Sequence, residues 1–448
     1  MLLGAAAVLL FVRRFGETLS APPPDVARLA ITASTSAAQS VLLHLLVALA
    51  AVVVIGQLLG RLFVAIGQPP VIGEVVGGLM LGPSLLGAIA PAAYQFILPP
   101  DVVPYLGIVA QLGVILYMFR VGLELNADLL RGQVHATVAT SHASIILPFV
   151  LGAVLALYLY PRVSTRDVPF ITFALFNGIA MSITAFPVLA RILSDLGMSR
   201  TPLGAAALTC AAVDDVTAWC LLALVVGLVQ ATPGSAVLVT VLTLAFIGVM
   251  FGAVRPAVAR IVHASPDSDP SRGMIALALI GLLSAALLTE AIGVHAIFGA
   301  FLFGAVLPHD SRLARTLTHS LDHLVSILLL PAFFAFAGVR TEIGLLAGWD
   351  AWLACGLIIA VATGGKVVGT MLAGRVTGLP WRQAAGLGVL MNTRGLMQLI
   401  VLNVGLDLGV ISPTLFTMMV IMALATTIAT TPLLRRIVVA PRHVDASA

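Results

Sequence analysis

Three charged side chains lie inside long apolar stretches of this 448-residue chain. Lys366 is the only lysine in the sequence and lies in the apolar run 357–372, while Asp214 and Asp215 are adjacent in the run 203–229. Burying one such charge in a bilayer costs at least about 2.5–3.5 kcal/mol, so we expect these residues to serve a function. A cation and two carboxylates that can meet at membrane depth predict the transport of an ion or of protons.

The two aspartates are predicted to have different tasks. Neighbours on a helix point about 100° apart, so Asp214 and Asp215 cannot both face one small ligand. One of them can pair with Lys366, an attraction of about 4 kcal/mol at ~4 Å and an effective dielectric constant of about 20. The other can face a cavity, where a cation displaces its proton and a returning proton displaces the cation. Competition for one carboxylate is sufficient for cation/proton exchange.

The composition is that of a polytopic membrane protein. Hydrophobic residues make up 60% of the chain and charged residues 9%, and the mean hydropathy is +1.11. Soluble domains do not reach these values. The net charge of +4 is spread over many short loops, which argues against a nucleic-acid partner. The three cysteines and nine histidines lack ligand-like spacing, so we expect no cofactor.

Thirteen membrane-spanning helices are predicted when each crossing takes about 20 apolar residues. Their positions are 38–59, 71–90, 104–120, 134–160, 170–193, 201–230, 235–262, 274–291, 293–308, 324–341, 350–373, 383–406 and 412–434. If the first span begins outside, fifteen arginines lie on or near the cytoplasmic side and six lie outside. The positive-inside rule therefore predicts an external N-terminus and a cytoplasmic C-terminus.

The ends of the chain flank one predicted transmembrane domain, residues 38–440. Residues 1–12 are apolar but too short to cross a core about 30 Å thick, so a signal sequence, an extra anchor and a frayed helix end all remain open. The rest of the N-terminal segment 1–37 contains three consecutive prolines and is predicted to be a linker. Residues 441–448 are expected to be a short cytoplasmic tail, without a C-terminal regulatory domain.

The sequence also predicts an inverted repeat. IGEVVGGLMLGP from residue 72 resembles AIFGAFLFGAVLP from residue 296, with Gly82 matching Gly304. VGLELNADLL from residue 121 resembles AGVRTEIGLL from residue 337, and FNG at 176–178 resembles MNT at 391–393. The shifts of 215 to 222 residues relate two halves of five spans, 71–230 and 293–434, which run in opposite directions in the predicted topology. Inverted repeats are typical of transporters.

Two spans in matching positions are predicted to be broken helices. The fifth span contains Pro187, which removes a helical donor and frees a carbonyl about one turn earlier. Polar residues cluster in both spans at membrane depth, which is tolerated where backbone lines a cavity or packs on protein. We expect these residues to line an ion site where the two breaks cross: Asn177, Ser182, Thr184, Asn392, Thr393, Arg394 and Gln398. A proline kink with interhelical hydrogen bonds is the alternative.

These residues lie in motifs that resemble a known family. The motifs include GQPPVIGEVVGGLMLGPSLLG (67–87), FRVGLELN (119–126), ITAFPVLARIL (183–193), AAVDDVTAW (211–219), EAIGVHAIFGAFLFGAVLP (290–308), LPAFFAFAG (330–338), GGKVVG (364–369) and MNTRGLMQLIVLNVGLDLG (391–409). The chain is identified by them as a member of the second branch of the monovalent cation:proton antiporters. That branch contains bacterial sodium/proton and potassium/proton exchangers and plant cation/proton exchangers.

The resemblance implies an all-α fold with crossed, discontinuous helices and a secondary antiporter rather than an enzyme. It implies that Asp215 binds the monovalent cation, Na⁺ or K⁺, and the competing proton, and that Lys366 holds Asp214. Thr184 would then lie at one helix break and residues 392–395 at the other. A homodimer in the bilayer, acting in pH homeostasis at a bacterial inner membrane, is implied as well.

Some positions carry less certain implications. Glu74, Glu290, His295 and Arg394 lie in family-like motifs and are expected to be packing or network residues first and ligands second, with pH sensing as a further interpretation for Glu74, Glu290 and His295. Gln398 stands where many relatives have a glutamate, which leaves the choice between Na⁺ and K⁺ open.

Other functional classes were weighed against exchange. A sodium-coupled organic-solute symporter of similar architecture is the main alternative. An intramembrane aspartyl protease needs its aspartates on different helices, and a cation channel would need a filter-like loop that the sequence lacks. The charges could also serve only as a buried network, in which case Asp215→Asn would damage folding rather than turnover.

Overall fold

The computed structural model describes residues 2–19, 38–124, 134–165, 168–199, 201–230, 235–263 and 270–439. Every regular element within these ranges is a helix, so the predicted all-α class is confirmed. Most of the predicted linker, residues 20–37, and the predicted tail 441–448 lie outside the described residues.

The helices of the described residues follow the predicted spans closely. Their bounds are α1 Leu2–Gly16, α2 Ala38–Ala65, α3 Pro70–Leu81, α4 Leu86–Ile89, α5 Pro91–Ile97, α6 Val103–Glu124, α7 Val134–Val163, α8 Phe170–Ser182, α9 Phe186–Asp195, α10 Pro202–Gln230, α11 Ser235–Val249, α12 Arg255–His263, α13 Arg272–Ile292, α14 Ala296–Val306, α15 Arg312–Leu324, α16 Leu330–Val339, α17 Trp349–Val376, α18 Trp381–Met391, α19 Leu396–Asp407 and α20 Pro413–Leu434.

The number of membrane-spanning helices is lower than predicted. Among the described residues, eleven stretches are long and apolar enough to cross a membrane, and α18 with α19, bent by 43° at their junction, is a twelfth. The predicted span 293–308 is only α14, a helix of 11 residues. Gly293, at φ 94°, ends α13 in the left-handed region that favours glycine, and extended Leu307 before Pro308 ends α14. The count of thirteen is therefore not confirmed.

The helices pack as two bundles. In the first, α3 packs on α2 and α16, α6 packs on α14 and α16, and α13 packs on α14. In the second, α7 packs on α8, α10 and α17, and α17 packs on α18 and α20. In addition, α9 packs on α10, and α19 packs on α20. Asp214, Asp215 and Lys366 all belong to the second bundle.

Helices that correspond to each other in the predicted repeat make corresponding contacts. The contact between α3 and α16 corresponds to the contact between α14 and α6. The helix α7 packs directly on α17, which is its equivalent in the predicted repeat. A Cβ on Gly82 would lie 2.5 Å from the carbonyl oxygen of Gly338, and one on Gly304 would lie 3.0 Å from Cα of Gly122. These two crossings correspond in the predicted repeat, because Gly82 matches Gly304 and Gly122 matches Gly338. The inverted direction of the halves stays a prediction.

Candidate functional site

Asp214 and Lys366 form an ion pair inside the second bundle. The ammonium Nζ of Lys366, on α17, lies 2.8 Å from Oδ2 of Asp214, on α10, and both side chains are 0% exposed. Lys366 also donates to the carbonyl oxygen of Ser182 at 2.5 Å. A buried pair of this kind is tolerated only when further hydrogen bonds satisfy its polar atoms.

Three hydroxyl groups supply those bonds to Asp214. Ser141 donates to Oδ1 at 2.6 Å, and Ser144 and Thr184 each donate to Oδ2 at 2.9 Å. Thr184 was predicted at the site, whereas Ser141 and Ser144 of α7 were not. Their spacing of three residues, which puts both on one helix face, was the available signal. With Lys366, the carboxylate of Asp214 has four donors.

Asp215 is buried but has none of this support. Its exposed fraction is 4%, and neither carboxylate oxygen has a hydrogen-bond partner among the described residues. Leaving a buried charge without a partner costs several kcal/mol, roughly, so such a group needs a cation or a proton. The two adjacent aspartates therefore have opposite environments.

The breaks in two helices meet beside this pair. Residues 183–185 separate α8 from α9, and residues 392–395 separate α18 from α19. The backbone N–H of Ala185 donates to the carbonyl oxygen of Thr393 at 2.9 Å, so the two irregular segments are joined directly. The Thr184 hydroxyl lies 2.9 Å from the carbonyl oxygen of Met391 as well as from Asp214. Because this hydroxyl has one proton, the two acceptors share or compete for it.

Arg394 ties the second break to the end of α8. Its buried guanidinium donates to the carbonyl oxygens of Ala180 at 3.0 Å and Met181 at 2.5 Å. Lys366 reaches the next free carbonyl, that of Ser182. The C-terminal end of a helix carries partial negative charge, so two cations there satisfy both the orphan carbonyls and the helix dipole. Arg394 was predicted only to line the break.

The other predicted lining residues also lie at the breaks. Pro187 is in the first turn of α9, Ser182 donates to the carbonyl oxygen of Ile179 at 2.9 Å, and Thr393 donates to that of Leu390 at 2.7 Å. Asn177 donates to the carbonyl oxygen of Gly152 at 2.6 Å. In the part of the chain that the structure describes, four buried polar atoms at or near the breaks have no hydrogen-bond partner: Asn177 Oδ1, Asn392 Oδ1, Arg394 Nε and Gln398 Nε2.

Comparison with known proteins identifies the family. The family model "Sodium/hydrogen exchanger, transmembrane" matches residues 47–439. This chain belongs to the sodium/hydrogen exchanger family. The Na(+)/H(+) antiporter NhaS4 of Synechocystis sp. is 44% identical over 405 residues, which cover 89% of this chain and 99% of that protein. The predicted resemblance to monovalent cation:proton antiporters is thereby confirmed.

A longer relative and a solved structure of lower sequence identity also match this exchanger-family chain. The K(+)/H(+) antiporter 1 of Saccharomyces cerevisiae is 33% identical over 366 residues, which cover 80% of this chain but only 41% of the yeast protein. The structure of the sodium proton antiporter MjNhaP1 from Methanocaldococcus jannaschii matches with a TM-score of 0.65 at 15% identity, over 88% of this chain and 99% of that one. This last likeness confirms the fold.

Three residues that were expected to be packing or network residues, Glu74, Glu290 and His295, make local contacts. Glu74, on α3, lies against Gly56 and Gly60 of α2. Glu290 accepts from the backbone N–H of Ala296 at 2.8 Å, at the start of α14. His295 is the N-cap of the same helix, and burial lowers its pKa while the nearby carboxylates of Glu290 and Asp407 act in the opposite direction. The observed contacts of Glu290 and His295 thus belong to the α13–α14 connection.

A second polar cluster joins the two bundles and was not predicted. Arg340, at the end of α16, donates to Oδ1 of Asn403 at 2.9 Å and forms an ion pair with Asp407, both on α19. The guanidinium also lies over the ring of Phe336, 4.8 Å from its centroid. At this end of the molecule the first bundle is joined to the second by Arg340 and by the backbone N–H of Glu342, which donates to the hydroxyl of Thr417 on α20 at 3.1 Å.

Proposed function

We propose that this chain is a secondary antiporter that exchanges a monovalent cation, Na⁺ or K⁺, for protons, and that both compete for Asp215. The observation that carries the proposal is the buried Asp215 carboxylate without a hydrogen-bond partner among the described residues, next to a fully paired Asp214. Membership of the sodium/hydrogen exchanger family supports it. So do the functions for which two relatives are named, a sodium/proton and a potassium/proton antiporter. Such a protein is a transporter, not an enzyme.

The two aspartates have different roles in this mechanism. Asp214 already has an ammonium and three hydroxyl groups as donors, so its charge is balanced by the protein. It positions Lys366 and the break between α8 and α9. Asp215 has no such balance, and a bound cation and a bound proton each remove the cost of its buried charge. Binding of one ion therefore displaces the other.

The remaining ligands of the cation are oxygen atoms near the two breaks. A hard monovalent ion favours carboxylate, amide and carbonyl oxygens. The Oδ1 atoms of Asn177 and Asn392 are buried and without a partner in the described residues, so they are the first candidates beside Asp215. Thr184 acts indirectly, because its hydroxyl contacts Asp214 and the carbonyl oxygen of Met391.

Alternating access follows from the two-bundle architecture. The second bundle carries Asp215, and movement against the first bundle would expose this residue to one side at a time. The contacts that must change include the Arg340 cluster at one end, the hydrogen bond from Nε2 of Gln68 to the carbonyl oxygen of Ile428, and Val71 of α3 packed on Val188 and Ile192 of α9. The arginine distribution supports an external N-terminus and a cytoplasmic C-terminus. A bacterial inner membrane is proposed on the family resemblance. A homodimer in the bilayer is part of the proposal on the family resemblance alone.

The test is cation-driven loss of an imposed proton gradient in proteoliposomes, with sodium, potassium and lithium compared. The parent is expected to dissipate the gradient with at least one of these cations, and Asp215→Asn is expected to abolish it. Asp350→Asn, at the exposed start of α17, is the matched control and should keep full activity. Folding of each variant is checked by its elution profile and unfolding temperature.

Two results would contradict the proposal. No dissipation by any of the three cations at acidic, neutral or alkaline pH, in folded parent protein, would remove the antiporter function and favour a sodium-coupled solute symporter. Full activity of folded Asp215→Asn would leave exchange standing but remove Asp215 as the shared site.

A further inference from the structure

A basic cavity lies beside α15, away from the aspartate site. It has a volume of about 600 Å³, within the range of about 300–1,000 Å³ of small-molecule sites. Polar side chains from three segments line it: Arg120, His309, Arg315, Thr318, His319 and Asp322. Two guanidinium groups and two imidazoles thus face a single lining carboxylate.

Among the described residues, the lining of this cavity has more positively than negatively charged side chains. Asp322 forms an ion pair with Arg120 and accepts from the hydroxyl of Ser326 at 3.2 Å. Arg315 is exposed, and its guanidinium donates to the backbone carbonyl of Asp310 at 3.1 Å. The carboxylate of Asp310 lies 3.1 Å from Nε2 of His309 but is 90% exposed. The lining carries a formal charge of +1 with neutral histidines and +3 when both are protonated.

An apolar groove borders the basic cavity. It has a volume of about 250 Å³ and lies between α12, α13 and α14. Leu307 and Leu313 line the groove, while His309 and Ala314 line the cavity. The two spaces are therefore lined by neighbouring residues of the short segment 307–314.

The helix between them is the polar end of a candidate membrane span, residues 312–345. Leu313, Ala314 and Leu317 of α15 are buried against the protein, whereas Arg315 and His319 are exposed. Basic side chains at the end of a membrane-spanning helix lie at the level of the lipid headgroups. The arginine distribution predicts the cytoplasmic side for this end of the molecule, where anionic lipids bind basic pockets between helices.

We propose that this cavity and groove together bind one anionic phospholipid, with its phosphate at Arg315 and Arg120 and an acyl chain in the groove. Arginine suits a phosphate because its planar guanidinium offers two parallel donors. The groove explains why the ligand is a lipid: a soluble phosphate would use the basic cavity only. This site is independent of the cation/proton exchange proposed above.

The experiment measures lipid retention by the purified full chain in native mass spectrometry. Phosphatidylglycerol and phosphatidylcholine with identical acyl chains are compared, and glycerol phosphate tests the headgroup alone. Arg315→Gln removes the cavity's exposed guanidinium, and Arg375→Gln, at the end of α17, is the control. Leu277→Trp obstructs the groove, and Leu283→Trp is its control, since both leucines are on α13 with exposed fractions of 52% and 54%.

The expected result is preferential retention of phosphatidylglycerol by the parent and by both controls. Arg315→Gln should weaken it about fivefold, the contribution of one arginine near a membrane surface, and Leu277→Trp should weaken both lipids. Three outcomes would overturn the proposal: equal retention of the two lipids by the parent, no loss in Arg315→Gln, or glycerol phosphate binding as tightly as phosphatidylglycerol. The unfolding temperature of each variant shows whether a loss reflects misfolding.

Discussion

Replacing Lys366 by methionine should destabilise the protein through the charge that it leaves behind. Methionine keeps most of the aliphatic volume of lysine but removes the ammonium that lies 2.8 Å from Asp214 and 2.5 Å from the carbonyl oxygen of Ser182. Asp214 is then a buried carboxylate that only Ser141, Ser144 and Thr184 support. The perturbation therefore tests whether the ion pair, rather than the packing of the side chain, holds this part of the second bundle together.

The size of the effect follows from the burial of both partners. Removing one member of a buried pair costs about 3–5 kcal/mol. The three remaining hydroxyl donors put Lys366→Met near the lower end of this range. About 1 kcal/mol moves the unfolding temperature of a 150–250-residue domain by ~2–4 °C, and a chain of twice that length moves roughly half as much, so a loss near 3 kcal/mol lowers the unfolding temperature by about 3–6 °C.

The assay is a double-mutant cycle in unfolding temperature, in one detergent and at one scan rate. Asp214→Asn alone should also destabilise, because it leaves the ammonium unpaired. The double variant Asp214→Asn/Lys366→Met should be more stable than the two single losses predict when added, since no uncompensated charge remains. Additive losses would refute the reasoning, because they would mean that each residue contributes by itself. Asp215→Asn is the contrasting control and should unfold at or above the temperature of the parent.

The remaining predictions concern positions around the site. Gly82→Ala should lower the free energy of unfolding by about 1–3 kcal/mol, because its Cβ would lie 2.5 Å from the carbonyl oxygen of Gly338; chemical denaturation measures it. Ser141→Ala should cost about 1.5 kcal/mol, the lower end of the range for a hydrogen bond to a charged group, and should leave the identity of the transported cation unchanged; denaturation measures the cost, and a flux assay measures the cation selectivity. Arg340→Gln removes the ion pair to Asp407 and should change the maximal rate of exchange by more than the apparent cation affinity, because it acts on the contact between bundles; flux against cation concentration separates them.

Each of these variants has a matched control. Gly364→Ala, inside α17 with open space around its Cβ, should stabilise by up to about 1 kcal/mol. Thr209→Ala, whose hydroxyl donates to its own helix at Ala205, should be close to neutral. Arg162→Gln, whose guanidinium contacts Tyr158 within α7, should leave exchange unchanged. If a control matches its partner variant, the contact proposed for that partner is not the cause.

The candidate ion site could be proposed from the sequence largely because charge is rare in it. Lys366 and the aspartate pair were conspicuous in apolar runs, and a cation at membrane depth must find an anion. The broken helices were predicted from Pro187 and from the polar run that begins at Asn392. Both signals are local, since a missing donor and several adjacent polar side chains are visible without knowing the fold.

The hydroxyl donors of Asp214 could not be predicted with the same means. A serine or threonine inside an apolar helix usually satisfies itself on a carbonyl of its own helix, as Thr370 does with Lys366, so its presence carries little information. Which face of α7 meets α10 depends on tertiary packing. The Arg340 cluster was missed for the same reason, because Arg340 and Asp407 are 67 residues apart.

The predicted span 293–308 was not confirmed, for a different reason. The sequence there is apolar throughout, and hydropathy alone cannot detect that Gly293 and His295 begin a new helix or that Leu307 leaves it. The helix α14 is as apolar as a full membrane span but has only 11 residues.

Proton release on cation binding tests the shared carboxylate most directly. Purified protein in weakly buffered detergent, held at a pH where the site carries its proton, is titrated with sodium or potassium chloride, with choline chloride as the blank. The parent is expected to release protons in saturable fashion, up to about one per chain because one carboxylate changes partner, and folded Asp215→Asn is expected to release none. Saturable cation binding without proton release in the parent, or unchanged release in Asp215→Asn, would contradict competition at Asp215.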